Sequence, residues 1–398
     1  MDEQWKNLSV ADFGTLHKGK GISRADLAPD GVPCLRYGEI YSTYGSITEH
    51  LISRVANNRA NEGLELLPGD IVFAASGETA EEIGKALAYI GRTEGRVGGD
   101  TIVLRDHGQD PVFLGYLLNS GPVVRQKSRL GKGQSVVHIH APDIATIEVC
   151  LPPLREQRKI AEILRTWDEA LEKLTALRAA KARRLGGLRF ALLFGALRLN
   201  GQRSNWTPTR VGTVTHELTR RNGARGLGRD FVMGVTKAEG VVPMREQTIA
   251  GDISRYKRLP PRAFAYNPMR INVGSIAMNE RDQEVLVSPD YVVFACNADG
   301  LDPDYLDHLR KTSWWAHYIN SGGSGSVRQR TYYDDLAALK LPLPEPDEQK
   351  AIAAVLNTAR ADVAATEREI EAVTLQKRGL MQKLLTGEWR VVSEKVLA

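Results

Sequence analysis

Apolar positions recur in alternating steps of four and three along two stretches of this chain. The first runs Ile160, Leu164, Trp167, Leu171, Leu174, Arg178, Lys181, Leu185, Leu188, Leu192. The second lies 192 residues later: Ile352, Leu356, Ala359, Val363, Thr366, Ile370, Val373, Lys377, Leu380, Leu384. A 3.5-residue period marks the seam of a coiled coil, and the same phase occurs twice. Two long helices separated by a domain pair most simply antiparallel with each other. The alternative is a generic amphipathic helix packed on its own domain. Pro152 and Pro153 bar a helix upstream of the first seam, and Asp347 or Glu348 favours the positive end of the second.

Outside these stretches the pattern changes. Short β-branched and aromatic runs bounded by Gly, Pro and Asp predict strands at Asp70–Ala75, Asp100–Leu104 and Asp290–Cys296. Helical patches, Pro111–Asn119 and Tyr305–Ile319, lie between them. The whole chain repeats at the same offset of 192. Leu151-Pro-Pro-Leu-Arg-Glu156-Gln157 returns as Leu343-Pro-Glu-Pro-Asp-Glu348-Gln349. Leu192-Leu-Phe-Gly195 returns as Leu384-Leu-Thr-Gly387, Arg198 as Arg390, and Asp110-Pro111 as Asp302-Pro303. Trp5 has a counterpart in Trp206 at a slightly different offset. The expected fold is α+β: mixed α/β domains over 1–150 and 201–342, each followed by a long helix within 151–200 and 343–398.

Composition narrows the class. The 398 residues are 42% hydrophobic and 25% charged, as in ordinary globular proteins, which excludes a disordered or fibrous chain. No window approaches 18 uninterrupted apolar residues, so a membrane span is not expected. The polar start, Met1-Asp2-Glu3-Gln4, has no leader pattern, and the expected location is the cytoplasm. Cys34, Cys150 and Cys296 fit neither a disulfide framework nor a zinc spacing. A net charge of +5 permits a polyanionic partner.

Fragments that approach enzyme motifs each miss the residue that does the chemistry. Gly14-Thr-Leu-His-Lys-Gly19-Lys20-Gly21 lacks the Ser or Thr a phosphate-binding loop needs after its Lys, and no helix is predicted there. Tyr266-Asn267-Pro268-Met269 approaches the Asn-Pro-Pro-aromatic tetrapeptide of adenine methyltransferases, lacks its second Pro and its aromatic, and reads as a turn. Pro142-Asp143…Glu148 has no nuclease Lys. His138 and His140 would share one face of a strand with no third ligand. The expectation is no catalytic residue and no metal.

Nucleic-acid contacts have better candidates. Gly131-Lys132-Gly133-Gln134-Ser135 answers Gly323-Ser-Gly-Ser-Val-Arg328-Gln329-Arg330-Thr-Tyr332-Tyr333 in the repeat. Gly lets backbone N–H groups approach phosphates; Arg reads guanine bidentately and Gln reads adenine. The candidate DNA-binding residues are Lys18, Lys20, Lys132, Gln134, Ser135, Arg328, Gln329, Arg330 and Tyr332. Further basic clusters are Arg24 with Lys18 and Lys20, Arg125/Lys127/Arg129, Arg220/Arg221/Arg225 and Arg255/Lys257/Arg258. The candidate seam residues are Ile160, Leu164, Trp167, Leu171, Leu188, Leu192, Ile352, Leu356, Val363, Ile370, Leu380 and Leu384. Gly187 and Gly379, at the same repeat position, read either as close crossing points, of the two helices or with a partner subunit, or as simple bends or fraying. The seam from 160 to 192 spans about 48 Å at ~1.5 Å per residue, or roughly 14 base pairs.

The two Leu-Pro…Glu-Gln segments, each opening a long helix that closes near Leu192-Leu-Phe-Gly195 or Leu384-Leu-Thr-Gly387, resemble the specificity subunits of type I restriction–modification systems over the whole chain. Gly19-Lys-Gly-Ile22…Gly31-Val-Pro-Cys-Leu-Arg-Tyr37-Gly-Glu-Ile40 resembles the start of such a recognition domain. The second helix departs in opening with Pro344-Glu-Pro346. The resemblance implies two target recognition domains on an antiparallel coiled coil, each reading half of a bipartite, asymmetric sequence in double-stranded DNA. It implies two modification (methyltransferase) subunits and two ATP-dependent restriction subunits as partners. S-adenosylmethionine, ATP and Mg would belong to those partners, and no cofactor to this chain. Recognition domains of this family vary with target, so base contacts do not carry over. The competing classes are a stand-alone methyltransferase or nuclease, active as a single chain, and a helical scaffold with no salt-dependent DNA affinity.

Overall fold

The computed structural model describes residues 4–199, 206–224, 226–321 and 330–391. The chain forms two compact units, Met1–Leu174 with Glu369–Ala398, and Thr175–Arg368. Each unit therefore joins one mixed α/β domain to parts of both long helices.

In the first unit the central sheet runs, in spatial order, Thr15–Lys18, Thr101–Arg105, Ile71–Ala74, Ala86–Tyr89 and Ile47–Thr48. Pairing is antiparallel except for the last neighbours. The strands Ile71–Ala74 and Ala86–Tyr89 are buried at every position, which explains their continuous apolar runs. A second sheet orders Ser53–Val55, Leu27–Leu35, Gly95–Val97 and Leu64–Leu66. In the second unit the order Thr215–Glu217, Val292–Cys296, Phe264–Tyr266, Ile276–Met278 repeats the first four positions of the first sheet. In both units an opening strand pairs antiparallel with the strand just before the long helix. Lys6–Ser9 pairs with Glu148–Leu151, and Thr207–Arg210 with Lys340–Leu343.

The long helices are Leu154–Leu193 and Pro346–Leu385, each 40 residues. Within the first unit, Ile160 and Leu164 share a core with Leu384, Leu385, Leu380 and Met381. Within the second, Leu185, Leu188 and Leu192 share one with Ile352, Leu356 and Val363. The start of one helix meets the end of the other, so the pairing in each unit is antiparallel. Ile160, Leu164, Leu192, Ile352, Leu356 and Leu384 are buried, whereas Trp167, Leu171, Leu188, Val363, Ile370 and Leu380 are only partly so. Ile160, Leu164 and Leu384 share a core with the first α/β domain, and Leu192, Ile352 and Leu356 share one with the second. Polar seam residues are paired. Lys181 Nζ donates to Asp362 at 2.7 Å and to Thr366 at 2.9 Å. Arg178 meets Glu367 at 2.6 Å, and Lys377 meets Asp168.

Three expectations change. The helical patch Tyr305–Ile319 is two helices, Pro303–Leu309 and Ser313–Ser321, with Thr312 Oγ1 accepting from the Trp315 N–H at 3.2 Å. Gly187 and Gly379 are not crossing points of the two long helices: a Cβ at either would meet nothing within 4 Å among the described residues. His138 and His140 do not share a strand, because that strand is only Val137–His138 and His140 precedes the helix Ala141–Ala145. No helix among the described residues is long and apolar enough to cross a membrane.

Candidate nucleic-acid interface

The repeated Glu-Gln pair is structural. Gln157 and Gln349 are each 1% exposed. Gln157 Oε1 accepts from the Asp110 N–H at 3.0 Å, and its Nε2 donates to Gln109 Oε1 and the Pro152 carbonyl at 2.7 and 2.8 Å. Gln349 Oε1 accepts from the Asp302 N–H at 2.9 Å, and its Nε2 donates to the Gly300 and Pro344 carbonyls at 3.0 and 2.9 Å. Asp110 and Asp302 in turn cap the helices that follow them, accepting from Phe113 and Tyr305. The glutamine thus ties the first turn of each long helix to a capped helix of its domain.

The glutamate clasps the far end of the other long helix. Arg390 holds Glu156 by two bonds of 2.9 Å, and Arg198 holds Glu348 by bonds of 2.7 and 2.8 Å. Each guanidinium also lies over an indole, Arg390 over Trp5 at 5.6 Å and Arg198 over Trp206 at 5.2 Å. Gly387 and Gly195 end their helices with φ of +74° and +72°, a left-handed turn that suits glycine. Burial pushes the Glu156 carboxyl up, but bonds from Arg390, Trp5 and the Val391 N–H hold it below its ordinary value. Sequence reading singled out the repeated Glu, Gln, Arg and Trp without joining them. Their matching repeat positions were the available signal.

The candidate contact residues gather at one end of each central sheet. In the first unit Lys18 sits opposite Ile102, and Gly19 bonds Thr101. Lys18 and Lys20, both exposed, therefore leave the sheet beside Thr101, which faces Ala74. The Gly-rich loop joins the same end. The Ile139 N–H donates to the Ala75 carbonyl at 3.0 Å, and His138 Nδ1 meets Ser76 Oγ at 2.9 Å. Paired bonds between Lys132 and His138 close this loop, and Gly133 has a φ of +131°. Gln134 and Ser135 are exposed at its tip. Lys132 is 71% exposed on its side chain, with one long contact to Asp143 at 3.4 Å.

In the second unit the edge strand continues past Leu218, which bonds Val293, to exposed Arg220. The Thr331 N–H donates to the Pro268 carbonyl at 3.1 Å, setting Arg330 and Tyr332, both exposed, at the corresponding sheet end. Arg330 donates to the Tyr332 hydroxyl at 3.3 Å. Arg328, Gln329 and Arg225 lie outside the described residues. The Asn-Pro segment is a turn: Asn267 Oδ1 accepts from the Met269 N–H at 2.9 Å. Gly14–Gly21 forms the strand Thr15–Lys18 and its exit, with no following α-helix.

Several basic residues are not surface cations. Lys127 is 1% exposed, and its Nζ donates to the Gly84 and Leu118 carbonyls at 2.6 and 2.8 Å. Burial pushes its pKa down to about 7. Lys257 donates to the Tyr291 carbonyl, and Arg258 pairs with Glu284, both at 2.7 Å. Among the described residues no three His, Cys, Asp or Glu side chains converge as metal ligands.

Residues 2–181 match the family described as type I restriction modification DNA specificity domain. Over 98% of this chain and 95% of its own length, the putative type I restriction enzyme MjaX specificity subunit of Methanocaldococcus jannaschii is 23% identical. The EcoKI specificity subunit of Escherichia coli K12 is 21% identical over 100% of this chain and 93% of its own. The S subunit of a type I restriction–modification system from M. genitalium shares the fold with a TM-score of 0.59 at 13% identity, covering 96% of each chain. The HsdS subunit of Thermoanaerobacter tengcongensis does so with a TM-score of 0.51 at 18% identity, covering 97% of each. Doubled mixed α/β domains and clasped antiparallel helices agree with these likenesses: residues 2–181 match the type I restriction modification DNA specificity domain, and the chain is similar over its length to named type I specificity subunits.

Proposed function

We propose that this chain selects the DNA sequence on which a type I restriction–modification complex acts. Each recognition domain reads one half of a bipartite, asymmetric target, and the long helices set the spacer and dock the modification and restriction subunits, two of each. The observation that carries this reading is a frame built twice with different side chains at the same sheet end. Two quasi-equivalent domains with unlike surfaces suit two unlike half-sites. Lys18, Lys20 and Lys132 are assigned to phosphates, which position but do not specify. Gln134 and Ser135 in one half, and Arg328, Gln329, Arg330 and Tyr332 in the other, are assigned to the neighbourhood of the bases.

On this reading the chain has no catalysis of its own. S-adenosylmethionine, ATP and Mg act in the partner subunits, and the complex works on cytoplasmic DNA. The test is a genome-wide map of modified bases in cells with and without this chain. A bipartite modified motif that vanishes on deletion supports the proposal. Methylation by the purified single chain, or a modification map unchanged by deletion, contradicts it.

A further inference from the structure

The two recognition domains connect the same pair of central strands by segments of opposite character. In the second unit, residues 267–275 join Phe264–Tyr266 to Ile276–Met278, at the sheet end where Thr331 meets Pro268. In the first, residues 75–85 join Ile71–Ala74 to Ala86–Tyr89 and carry exposed Glu78, Glu81 and Glu82. The second connection carries no carboxylate.

Residues 267–275 form a rigid turn. Arg270 N–H donates to the Asn267 carbonyl at 2.9 Å, and the Ser275 N–H to the Arg270 carbonyl at 3.0 Å. Ser275 Oγ donates to the Val235 carbonyl at 3.0 Å, and Ile271 is buried as an anchor. Gly274 closes the turn with a φ of +92°. This frame leaves four side chains exposed. Met269 is 45% and Val273 57% exposed, and Arg270 and Asn272 are exposed as well. The Arg270 side chain has no hydrogen bond or ion pair among the described residues. The exposed Lys237 side chain lies beside Gly274, where a Cβ would come within 3.2 Å of its Cγ.

We propose that this turn is the base-reading element of the second recognition domain, with Arg270 selecting a guanine and Met269 and Val273 forming its apolar flank. A guanidinium held on a rigid turn can donate two bonds to guanine O6 and N7, while apolar side chains beside it meet a thymine methyl. Lys237 flanks the turn with a cation for the phosphates. The carboxylates of the first unit's connection would repel those phosphates, so the two domains cannot meet the duplex in the same way. This assignment rests on the proposed function.

The test uses the complex reconstituted with its modification subunits and a DNA library randomised across the modified motif. Arg270→Ala should lose preference for guanine at one position of one half-site, by roughly 5- to 150-fold. The other half-site and the spacer should stay unchanged. Arg270→Lys should keep affinity and fail to restore the preference, because an ammonium lacks the planar fork. Lys237→Ala should lower the salt slope of binding by about one. Hydrogen exchange across the second unit should match wild type in each variant. A wild-type complex that reads a bipartite motif, with Arg270→Ala reading it equally well, overturns this assignment alone. So does an unchanged motif with weakened assembly, which would make the turn a protein contact. A wild-type complex with no bipartite motif removes the proposed function and this assignment together.

Discussion

At the clasps the two units agree nearly atom for atom: Glu156 and Glu348 each take a bidentate arginine backed by an indole, and Gln157 and Gln349 each take one backbone N–H and give two bonds. At the sheet ends they share strand order and little else. Glutamates stand on one connection where Met269, Arg270 and Val273 stand on the other. The difference follows from what each side chain must satisfy. A buried glutamine bonded to fixed backbone groups has few substitutes, since any other residue leaves those groups unpaired. A side chain facing solvent at a turn can change freely, and there a pair of reading surfaces can diverge.

The largest expected effect tests whether the latches are equivalent. Gln157→Leu should strip partners from the buried Asp110 N–H and Pro152 carbonyl, costing about 3 kcal/mol. Gln349→Leu should cost a similar amount. Hydrogen exchange should rise in the first unit for one variant and in the second for the other. Equal protection in both variants would remove the latch role.

Breaking the clasps comes next. Glu156→Ala and Glu348→Ala should each cost about 1–3 kcal/mol in denaturant melts. Glu156→Ala should cost more, because Glu156 also accepts from Trp5 at 3.2 Å and from Val391 at 3.2 Å. The folded Glu156 carboxyl titrates below its unfolded value. Its stabilisation is therefore present above the ordinary glutamate range and is lost as pH falls through the folded value. An acid melt of Glu156→Ala should show less loss of stability below about pH 4.3 than wild type. An unchanged acid limb would contradict the clasp.

Lys127 has no counterpart in the second unit, where the same offset gives Ile319. Its folded value of about 7 lies below the ~10.4 of an unfolded lysine. The unfolded chain binds more protons between those values, so stability should rise with pH across that window. Lys127→Met should flatten the rise, as read by melts from pH 7 to 10. The smallest effect concerns the helices. With open space at Gly187 and Gly379, replacing either with Ala should stabilise by about 0.5–1 kcal/mol. A destabilised variant would restore a close-packed crossing.

Much of the frame was legible because it repeats. A 3.5 period and an offset of 192 located both helices, and the strand runs around Ile71, Ile102 and Val292 fell where β-branched clusters predicted. Three features were not legible for physical reasons. The clasps join residues 150 and 234 positions apart, so no local pattern carries them. A glycine in a helix reads the same whether a backbone passes close or nothing is there. Lys127 counted as one of three surface cations, although it lies four residues after buried Val123 on the inward face of its helix. Counting charges ignores that phase. At the sheet ends the candidates Lys18, Lys20, Lys132, Gln134, Ser135, Arg330 and Tyr332 could be named, but Arg270 could not. Its significance depends on a turn whose geometry appears only once the strands are paired.

The central claim is that one frame carries two independent reading heads. A chain in which residues 201–342 are replaced by a second copy of 1–150, joined to the same helices, tests it most directly. Assembled with the modification subunits and mapped for modified bases, it should modify an inverted repeat of the first half-site, because identical heads on a repeated frame call for a symmetric target. Retention of the original asymmetric motif by a folded, assembled chimera would contradict the account.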